Sequence, residues 1–392
     1  MRPPRRGGAG ARPARRWALA LSIALLPACG SAQNDAHLGA LAAGQRAYHA
    51  GRYVEAARAF SDAAARAERV KDRDEARLLE ARAYQRAEAW GEARATYQRL
   101  LAASPPGPRS PRAEFELARL AIEHGDAEAG WAMLLEATRR HPTHGLSRNA
   151  LRELADHEEE RGGPEAALAW LRRQEPVFRG TELDQVIGYQ LGLALDRTGD
   201  REGALRALVA TARAHPYPFG PLTDNALLRA AELAEELGRF TEAIGYLREM
   251  IAPRERAATG SYERPLFDDA QLAIAALYRD RLHDRAAARR ELRALYTRFP
   301  ASLLRDDALW SEAKLWREDM KQKEACEVAS KLARELPDSR YASCVSRLCP
   351  SLPAGQRACA AYIVRELEGE DREGSPDQDG EADRRGPPVP TR

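Results

Sequence analysis

One small residue recurs along most of this 392-residue chain at a nearly constant spacing. Alanine or glycine returns after 37 residues four times in succession, and the later steps are 39, 45 and 37 residues. A proline, which would end a helix, follows twelve positions after several of them. The small residues are Ala56, Ala93, Gly130, Ala167, Ala204, Ala243, Ala288 and Ala325, and the prolines are Pro105, Pro142, Pro216, Pro300 and Pro337. A period of this length predicts an array of similar units and not a single globular core.

The composition and the pattern within each period predict a pair of helices. Alanine, leucine, arginine and glutamate dominate the chain, and all four favour helix. In one unit, Phe115, Leu117 and Leu120 are apolar at helical spacing, and the break at 124–126 contains a glycine that can end a helix. A second helix over 129–140 then leads into Pro142. Since one hairpin cannot bury its own apolar face, neighbouring hairpins are expected to stack into a solenoid.

This frame resembles the tetratricopeptide repeat family. Gly51-Arg-Tyr53-x-x-Ala56 recurs as Gly238-Arg-Phe240-x-x-Ala243, and each first helix carries a second small residue. Those second small residues are Gly44, Ala81, Ala118, Ala155, Gly192, Ala231, Ala276 and Ala313. The resemblance implies an all-α fold: about eight helical hairpins over residues 37–338 in a right-handed superhelix. The phrases Phe299–Leu309 and Leu336–Tyr341 are similar to envelope lipoproteins of the outer-membrane assembly and Tol–Pal coordinator type.

The N-terminus has the pattern of a bacterial export signal. Residues 1–16 contain six arginines and no acidic residue, and the apolar run Trp17–Leu26 follows. That run is too short to span a bilayer. Leu26-Pro27-Ala28-Cys29 resembles the lipobox of bacterial lipoproteins, which implies acylation of Cys29 and removal of residues 1–28. Gly30 and Ser31 then favour the outer membrane, with the protein facing the periplasm.

Four more cysteines lie in the last seventy residues. In an oxidising compartment an even, clustered set favours disulfides, and a zinc site is the weaker reading because the spacing is loose and no histidine is near. Three pairings are possible, and the sequence does not choose among them. The candidates are Cys326, Cys344, Cys349 and Cys359.

No assembled catalytic motif appears in the sequence, so we expect no enzyme and no cofactor. Ser311-Glu-Ala-Lys314 matches Ser-x-x-Lys, but the partner motifs of that chemistry are missing, and Lys314 is expected to face solvent. His141 and His144 are expected to be exposed loop residues and not metal ligands. Without the six arginines of the leader, 55 Lys and Arg stand against 59 Asp and Glu, which argues against nucleic-acid binding.

What remains is surface for binding. In proteins that this chain resembles, the first helices line a concave groove for a peptide or a partner helix. The strongest candidates are Arg82, Arg86, Phe115, Arg119, Tyr189 and Trp310, and the further candidates are Leu193, Asp196, Leu228, Glu232, Leu277, Lys314 and Arg317. Arginines dominate in repeats two and three and acids in repeats four to six, so the groove is expected to have two electrostatic ends.

Together these features predict five segments and a non-enzymatic scaffold. The segments are a signal peptide (1–28), a lipidated linker (29–36), the repeat array (37–338), a cysteine-containing helical cap (339–367) and a disordered acidic tail (368–392). Within the array, 253–265 reads as an exposed loop. The expected function is recruitment of protein partners in outer-membrane or envelope biogenesis. The alternative is an accessory or regulatory subunit of a peptidoglycan-acting enzyme, with peptidoglycan as a possible ligand.

Overall fold

The computed structural model describes residues 35–103, 105–252, 255–257, 260–262, 266–353 and 358–369. The signal peptide, Cys29 and the tail beyond residue 369 lie outside these residues. The described chain divides into two compact units, with the boundary after Ser110. Apart from one short pair of strands, its regular elements are helical.

The N-terminal unit contains two helical hairpins. Its helices are α1 (Asp35–His49), α2 (Tyr53–Arg66), α3 (Val70–Arg86) and α4 (Trp90–Leu101). The ring of Phe60 on α2 covers Gly44 on α1, where a β-carbon would lie 2.5 Å from the ring. This contact explains the small residue of the first helix, because a side chain there would push the two helices apart.

The C-terminal unit contains the remaining six hairpins. Its helices are α5 (Ser110–His124), α6 (Ala127–Arg140), α7 (Ser147–Phe178), α8 (Asp184–Arg197), α9 (Arg201–Ala214), α10 (Thr223–Glu236), α11 (Phe240–Ile251), α12 (Phe267–Ala276), α13 (Arg285–Arg298), α14 (Arg305–Glu318) and α15 (Gln322–Glu335). One of these hairpins is α7 itself, because Gly162 and Gly163 leave the helical conformation and divide it in two. Another has a π-helical turn, Leu277–Arg281, directly after α12.

The predicted repeat frame agrees with the packing. All eight small residues of the 37-residue period are buried where first and second helices meet. Gly130 shows why: a β-carbon there would lie 2.6 Å from the backbone nitrogen of Ile122 on α5. The all-α expectation needs one addition, since the predicted exposed loop contains strands β1 (Glu255–Ala257) and β2 (Gly260–Tyr262), paired antiparallel.

A short cap follows the last hairpin. A 3₁₀ turn (Ala342–Cys344) and α16 (Val345–Leu348) pack against α15, and α17 (Ala361–Glu368) ends the described chain. Cys326 is bonded to Cys349, and Cys344 is bonded to Cys359. The first bond therefore joins α15 to the end of α16, and the second joins the 3₁₀ turn to the residues before α17.

Candidate protein-binding face

Ion pairs join the first helices of successive hairpins in the C-terminal unit. Each pair links a guanidinium on one first helix to a carboxylate on the neighbouring first helix. The pairs are Arg119–Glu153 at 2.9 Å, Arg197–Glu159 at 2.9 Å and Arg229–Asp196 at 2.6 Å. They cross from one repeat to the next, and they leave the first helices with a polar face beside the apolar core.

Arg229 on α10 is the centre of the densest part of this face. Its guanidinium lies 2.6 Å from Asp196 Oδ2, 2.7 Å from Glu232 Oε2 and 3.4 Å from Glu236 Oε1. Partial burial is the largest single influence on Arg229 and lowers its pKa, but the hydrogen bonds to Glu232 and Asp196 outweigh it and raise the pKa. Arg229 is therefore a permanent cation held among three carboxylates.

Tyr189 on α8 lies beside this cluster. Its side chain is half buried, and burial, followed by the negative charge of Glu232, raises the pKa of its hydroxyl. The phenol therefore stays protonated at neutral pH and can donate a hydrogen bond. Three residues expected to line the groove thus meet here, namely Tyr189, Asp196 and Glu232.

A cleft of about 530 Å³ opens next to Arg229. Arg281 closes one side of it, with its Nε 2.9 Å from Glu235 Oε1 and its guanidinium carbon 5.9 Å from the centre of the Phe240 ring. The lining residues are Arg229, Glu232, Glu235, Glu236, Gly238, Phe240 and Arg281. The paired charges can form hydrogen bonds with a polar peptide or protein surface, and the Phe240 ring offers that surface one apolar contact.

Comparison with known proteins identifies the family. The tetratricopeptide repeat family model matches residues 41–108, 115–175 and 189–261, which together cover just over half of the chain. The chain belongs to the tetratricopeptide repeat family. No curated protein matches this tetratricopeptide repeat chain.

Solved tetratricopeptide repeat structures resemble it at low identity. The C-terminal part of a repeat-containing protein from Cytophaga hutchinsonii is 15% identical with a TM-score of 0.41, and the match covers 68% of this chain and 98% of that one. A tetratricopeptide repeat protein from Parabacteroides merdae is 14% identical with a TM-score of 0.32, over 70% of this chain and 98% of that one. Arrays of this family are generally interaction scaffolds without catalytic activity, with extended binding surfaces.

Three of the predicted groove residues belong to the core of this tetratricopeptide repeat protein. Phe115 is 0% exposed and stacks on the ring of His144, with centroids 5.2 Å apart. Trp310 is 2% exposed and stacks on Tyr341 at 4.8 Å. The prediction that Phe115 and Trp310 line an open groove is therefore wrong, because helical periodicity does not reveal what covers a face. Leu277, 4% exposed, is corrected in the same way.

The other predicted positions are distributed along the array. Arg82 and Arg86 lie on α3 in the N-terminal unit, Arg82 partly buried and Arg86 exposed. Arg119 is half buried in its pair with Glu153. Lys314 was expected to face solvent, but it forms an ion pair with Glu366.

The histidine expectation also needs correction. His141 and His144 are half buried, and not exposed as predicted. His141 Nε2 lies 3.2 Å from Glu114 Oε2. Burial, followed by the nearby Arg112 charge, lowers the pKa of His144. In the described ranges, no group of three or more His, Cys, Asp or Glu side chains is arranged to hold a metal ion.

The sequence did not point to four residues of the cleft, namely Arg229, Glu235, Glu236 and Arg281. A usable signal was present for Arg229: Asp196 precedes it by 33 residues, close to one repeat. Opposite charges one period apart on successive first helices are candidates for an ion pair between repeats. Helical position alone does not separate them from the many solvated charges of an arginine- and glutamate-rich chain.

Proposed function

We propose that this tetratricopeptide repeat protein is a lipid-anchored scaffold. It would hold protein partners at the periplasmic side of the outer membrane during envelope biogenesis. The observation that carries the proposal is the cleft beside Arg229, which is lined by charged side chains of the first helix α10, by Phe240 at the start of the second helix α11 and by Arg281 after α12. The lipid would keep this face close to the membrane and raise the local concentration of partner and scaffold together.

The two disulfides support an exported protein. Bonds of this kind persist in oxidising compartments such as the periplasm and are rare in the cytosol. The arginine-rich leader and the Leu26-Pro27-Ala28-Cys29 sequence agree with this compartment. In the part of the chain that the structure describes, no helix is both long enough and apolar enough to cross a bilayer.

The binding face favours a polar protein segment as occupant. Glu232 keeps about half of its side chain exposed although it binds Arg229, so it can accept hydrogen bonds from a partner as well. Complementary charges of this kind set the orientation and the association rate of a partner more than its affinity.

A photocrosslinking experiment in intact cells tests the proposal. A photoreactive amino acid replaces Glu232 in the cleft, and a matched variant carries it at Arg206, an exposed residue of the second helix α9. We expect discrete protein adducts from position 232 that are absent from position 206. Identical adducts from both positions would contradict the binding face, and adducts only to peptidoglycan fragments would support the accessory-subunit alternative.

The anchor is tested separately. The variant Cys29→Ser removes the only side chain that a lipoprotein pathway would acylate in the lipobox-like sequence. We expect the protein to move from the membrane fraction to the soluble periplasmic fraction. Unchanged tight association of Cys29→Ser with membranes would exclude acyl anchoring.

A further inference from the structure

The chain's own C-terminal segment contacts the first helix of the last hairpin at two groove positions. Tyr341 stacks on Trp310 of α14 with the ring planes inclined by 12°. Further along α14, Lys314 forms its ion pair with Glu366 of α17. These contacts lie at positions where the repeat frame predicts a groove for a partner. The array therefore binds a helix of its own there.

α17 docks in the manner of an amphipathic ligand. Ile363 is 0% exposed and is part of the apolar cluster that extends from α9 through the last hairpin to α17. Glu366 and Leu367 follow it by three and four positions, so the three side chains share one face of the helix. Leu367 packs against the same cluster, whereas Tyr362 on another face is 46% exposed.

The position of α17 depends on the Cys344–Cys359 disulfide. The helix has eight residues, and a helix that short is not stable by itself in water. Ile363 is its only buried residue. The Cys344–Cys359 bond fixes the chain just before α17, which keeps the helix at high local concentration over α14.

The surface around Lys314 of α14 that α17 contacts, here called the seat, extends past the end of α17. A cleft of about 680 Å³ continues from the last turn of the helix, between α14, Arg285 and Leu348. Its lining residues are Arg285, Lys314, Arg317, Glu318, Met320, Leu348, Glu366, Leu367, Glu368 and Gly369. Arg285 pairs there with Glu318 and Asp319, Lys314 pairs with Glu366 of α17, and Arg317 donates to the carbonyl oxygen of Arg347, so the lining is mainly polar and charged.

We propose that this seat is a second docking site, for an amphipathic partner helix with an apolar residue followed by Glu and Leu at positions three and four. In the oxidised protein α17 occupies the site, and opening of the Cys344–Cys359 bond releases it. The inference rests on the proposed function, because it assumes that first helices of this array bind protein segments.

Release requires a dithiol reductant. Its thiolate attacks Sγ of Cys359, which is partly exposed, while Cys344 is 0% exposed. The S–S bond breaks, Cys344 leaves as a thiolate and takes a proton, and a mixed disulfide remains on Cys359. The second thiol of the reductant then attacks that mixed disulfide, so Cys359 is released as a thiol and the reductant becomes a disulfide.

Hydrogen exchange of the full chain tests the release step. The chain supplies a matched pair of variants, Cys344→Ser/Cys359→Ser and the control Cys326→Ser/Cys349→Ser, which opens the other disulfide. We expect the amides of α17 to exchange at least about tenfold faster in the first variant and to change little in the control. Equal exchange of α17 in wild type and in the first variant would show that the bond does not hold the helix.

Peptide binding tests the seat. The probe is a fluorescent peptide of residues 358–369 carrying Cys359→Ser, and the receptor is the full chain with Cys344→Ser/Cys359→Ser and Ile363→Asp to displace its own helix. We expect saturable binding, none to the oxidised wild type, and about tenfold weaker binding with Lys314→Glu. A peptide with Glu366→Lys should recover binding to Lys314→Glu.

Two outcomes overturn the proposal. Absence of peptide binding to a folded receptor whose α17 is displaced would make α17 an ordinary cap. Concentration-dependent dimers of the Cys344→Ser/Cys359→Ser chain would assign the seat to α17 of a second copy. Neither outcome touches crosslinking at Glu232 in the middle of the array, so the proposed scaffold function is tested independently.

Discussion

The hydroxyl of Ser339 donates a hydrogen bond of 2.7 Å to Oδ2 of Asp306, which lies 33 residues earlier at the start of α14. The same relationship occurs one repeat earlier, where Ser302 donates to Asp268 at 2.6 Å across 34 residues. Each serine sits in the loop after a second helix and reaches back to the first helix of the same hairpin. In these two hairpins the bond therefore joins the start of the first helix to the loop that leads into the next repeat.

Removing this hydroxyl should loosen the last hairpin. We expect Ser339→Ala to lower the free energy of unfolding by about 1–2 kcal/mol, because a half-buried carboxylate loses a charge-assisted hydrogen bond. Urea denaturation followed by circular dichroism measures the change. Ser330→Ala on α15 is the control, and an equal loss in both variants would mean that the bond to Asp306 contributes nothing measurable.

Asp74 at the start of α3 shows the opposite case. It is 0% exposed, and neither carboxylate oxygen has a hydrogen-bond partner within the described residues. Gly107 stands 33 residues later, where the other two loops carry serine, and the Asp74 carboxylate fills the space of the missing side chain. Burial raises the pKa of Asp74.

The pH dependence of stability follows from this raised pKa. The unfolded chain loses the Asp74 proton near pH 4, and the folded chain loses it only at higher pH. Ionisation therefore favours unfolding as the pH rises through this interval. We expect Asp74→Asn to stabilise the protein at pH 7 by about 1 kcal/mol or more, and the gain to vanish below about pH 4. Thermal melts across pH 3–8 measure it, with Glu68→Gln on the surface as control; a gain that does not depend on pH would contradict the cause.

The turn between α14 and α15 contains strain that glycine would relieve. Met320 has a φ of +58°, in the left-handed region, and its side chain is 90% exposed. At the corresponding turn between α8 and α9, Gly199 has a φ of +85°. We expect Met320→Gly to stabilise by about 0.5–1 kcal/mol and Gly199→Ala to destabilise by a similar amount. Denaturation midpoints that move in the same direction for both would exclude this conformational explanation.

Gly130 on α6 sets the distance between the helices of its hairpin. A β-carbon there would lie 2.7 Å from Cγ1 of Ile122 and 2.9 Å from the carbonyl oxygen of Ala118. Because backbone cannot move aside cheaply, we expect Gly130→Ala to cost about 1–3 kcal/mol. Gly245, inside the second helix α11, has open space around it, so Gly245→Ala should stabilise slightly. Thermal melting measures both, and a stabilised Gly130→Ala would contradict the close approach.

Arg229 should matter through its shape as well as its charge. Its planar guanidinium reaches Asp196, Glu232 and Glu236 at once, which an ammonium group cannot do with the same geometry. We expect Arg229→Lys to recover less than half of the roughly 1–2 kcal/mol lost in Arg229→Ala. Chemical denaturation at low and high salt measures the free energy of unfolding of both variants. If Arg229→Lys were as stable as the wild type, the positive charge alone, and not the shape of the guanidinium, would account for the stability of the cluster.

The sequence by itself determined the repeat and the hairpins. Residues such as Ala204 and Gly130 must be small because the two helices of one hairpin meet there. Since every hairpin has this contact, a small residue recurs once per repeat and the period is visible in the sequence. Gly162 and Gly163, which were not singled out from the sequence, divide α7 between the small residues Ala155 and Ala167 of the same frame. The prolines after the second helices end them because proline has no backbone N–H to donate, and this effect can be recognised without any tertiary contact.

Only the tertiary structure decided what covers each face. Trp310 occupies a groove position in the repeat frame, yet Tyr341 lies on it because the chain returns after the last hairpin. The pairing of the four cysteines and the meeting of Asp196 with Arg229 likewise depend on which segments approach in space. The helical period shows in which direction a side chain leaves its own helix. Whether that side chain is buried depends on a second segment, distant in sequence, that packs on it, and the period contains no information about that segment.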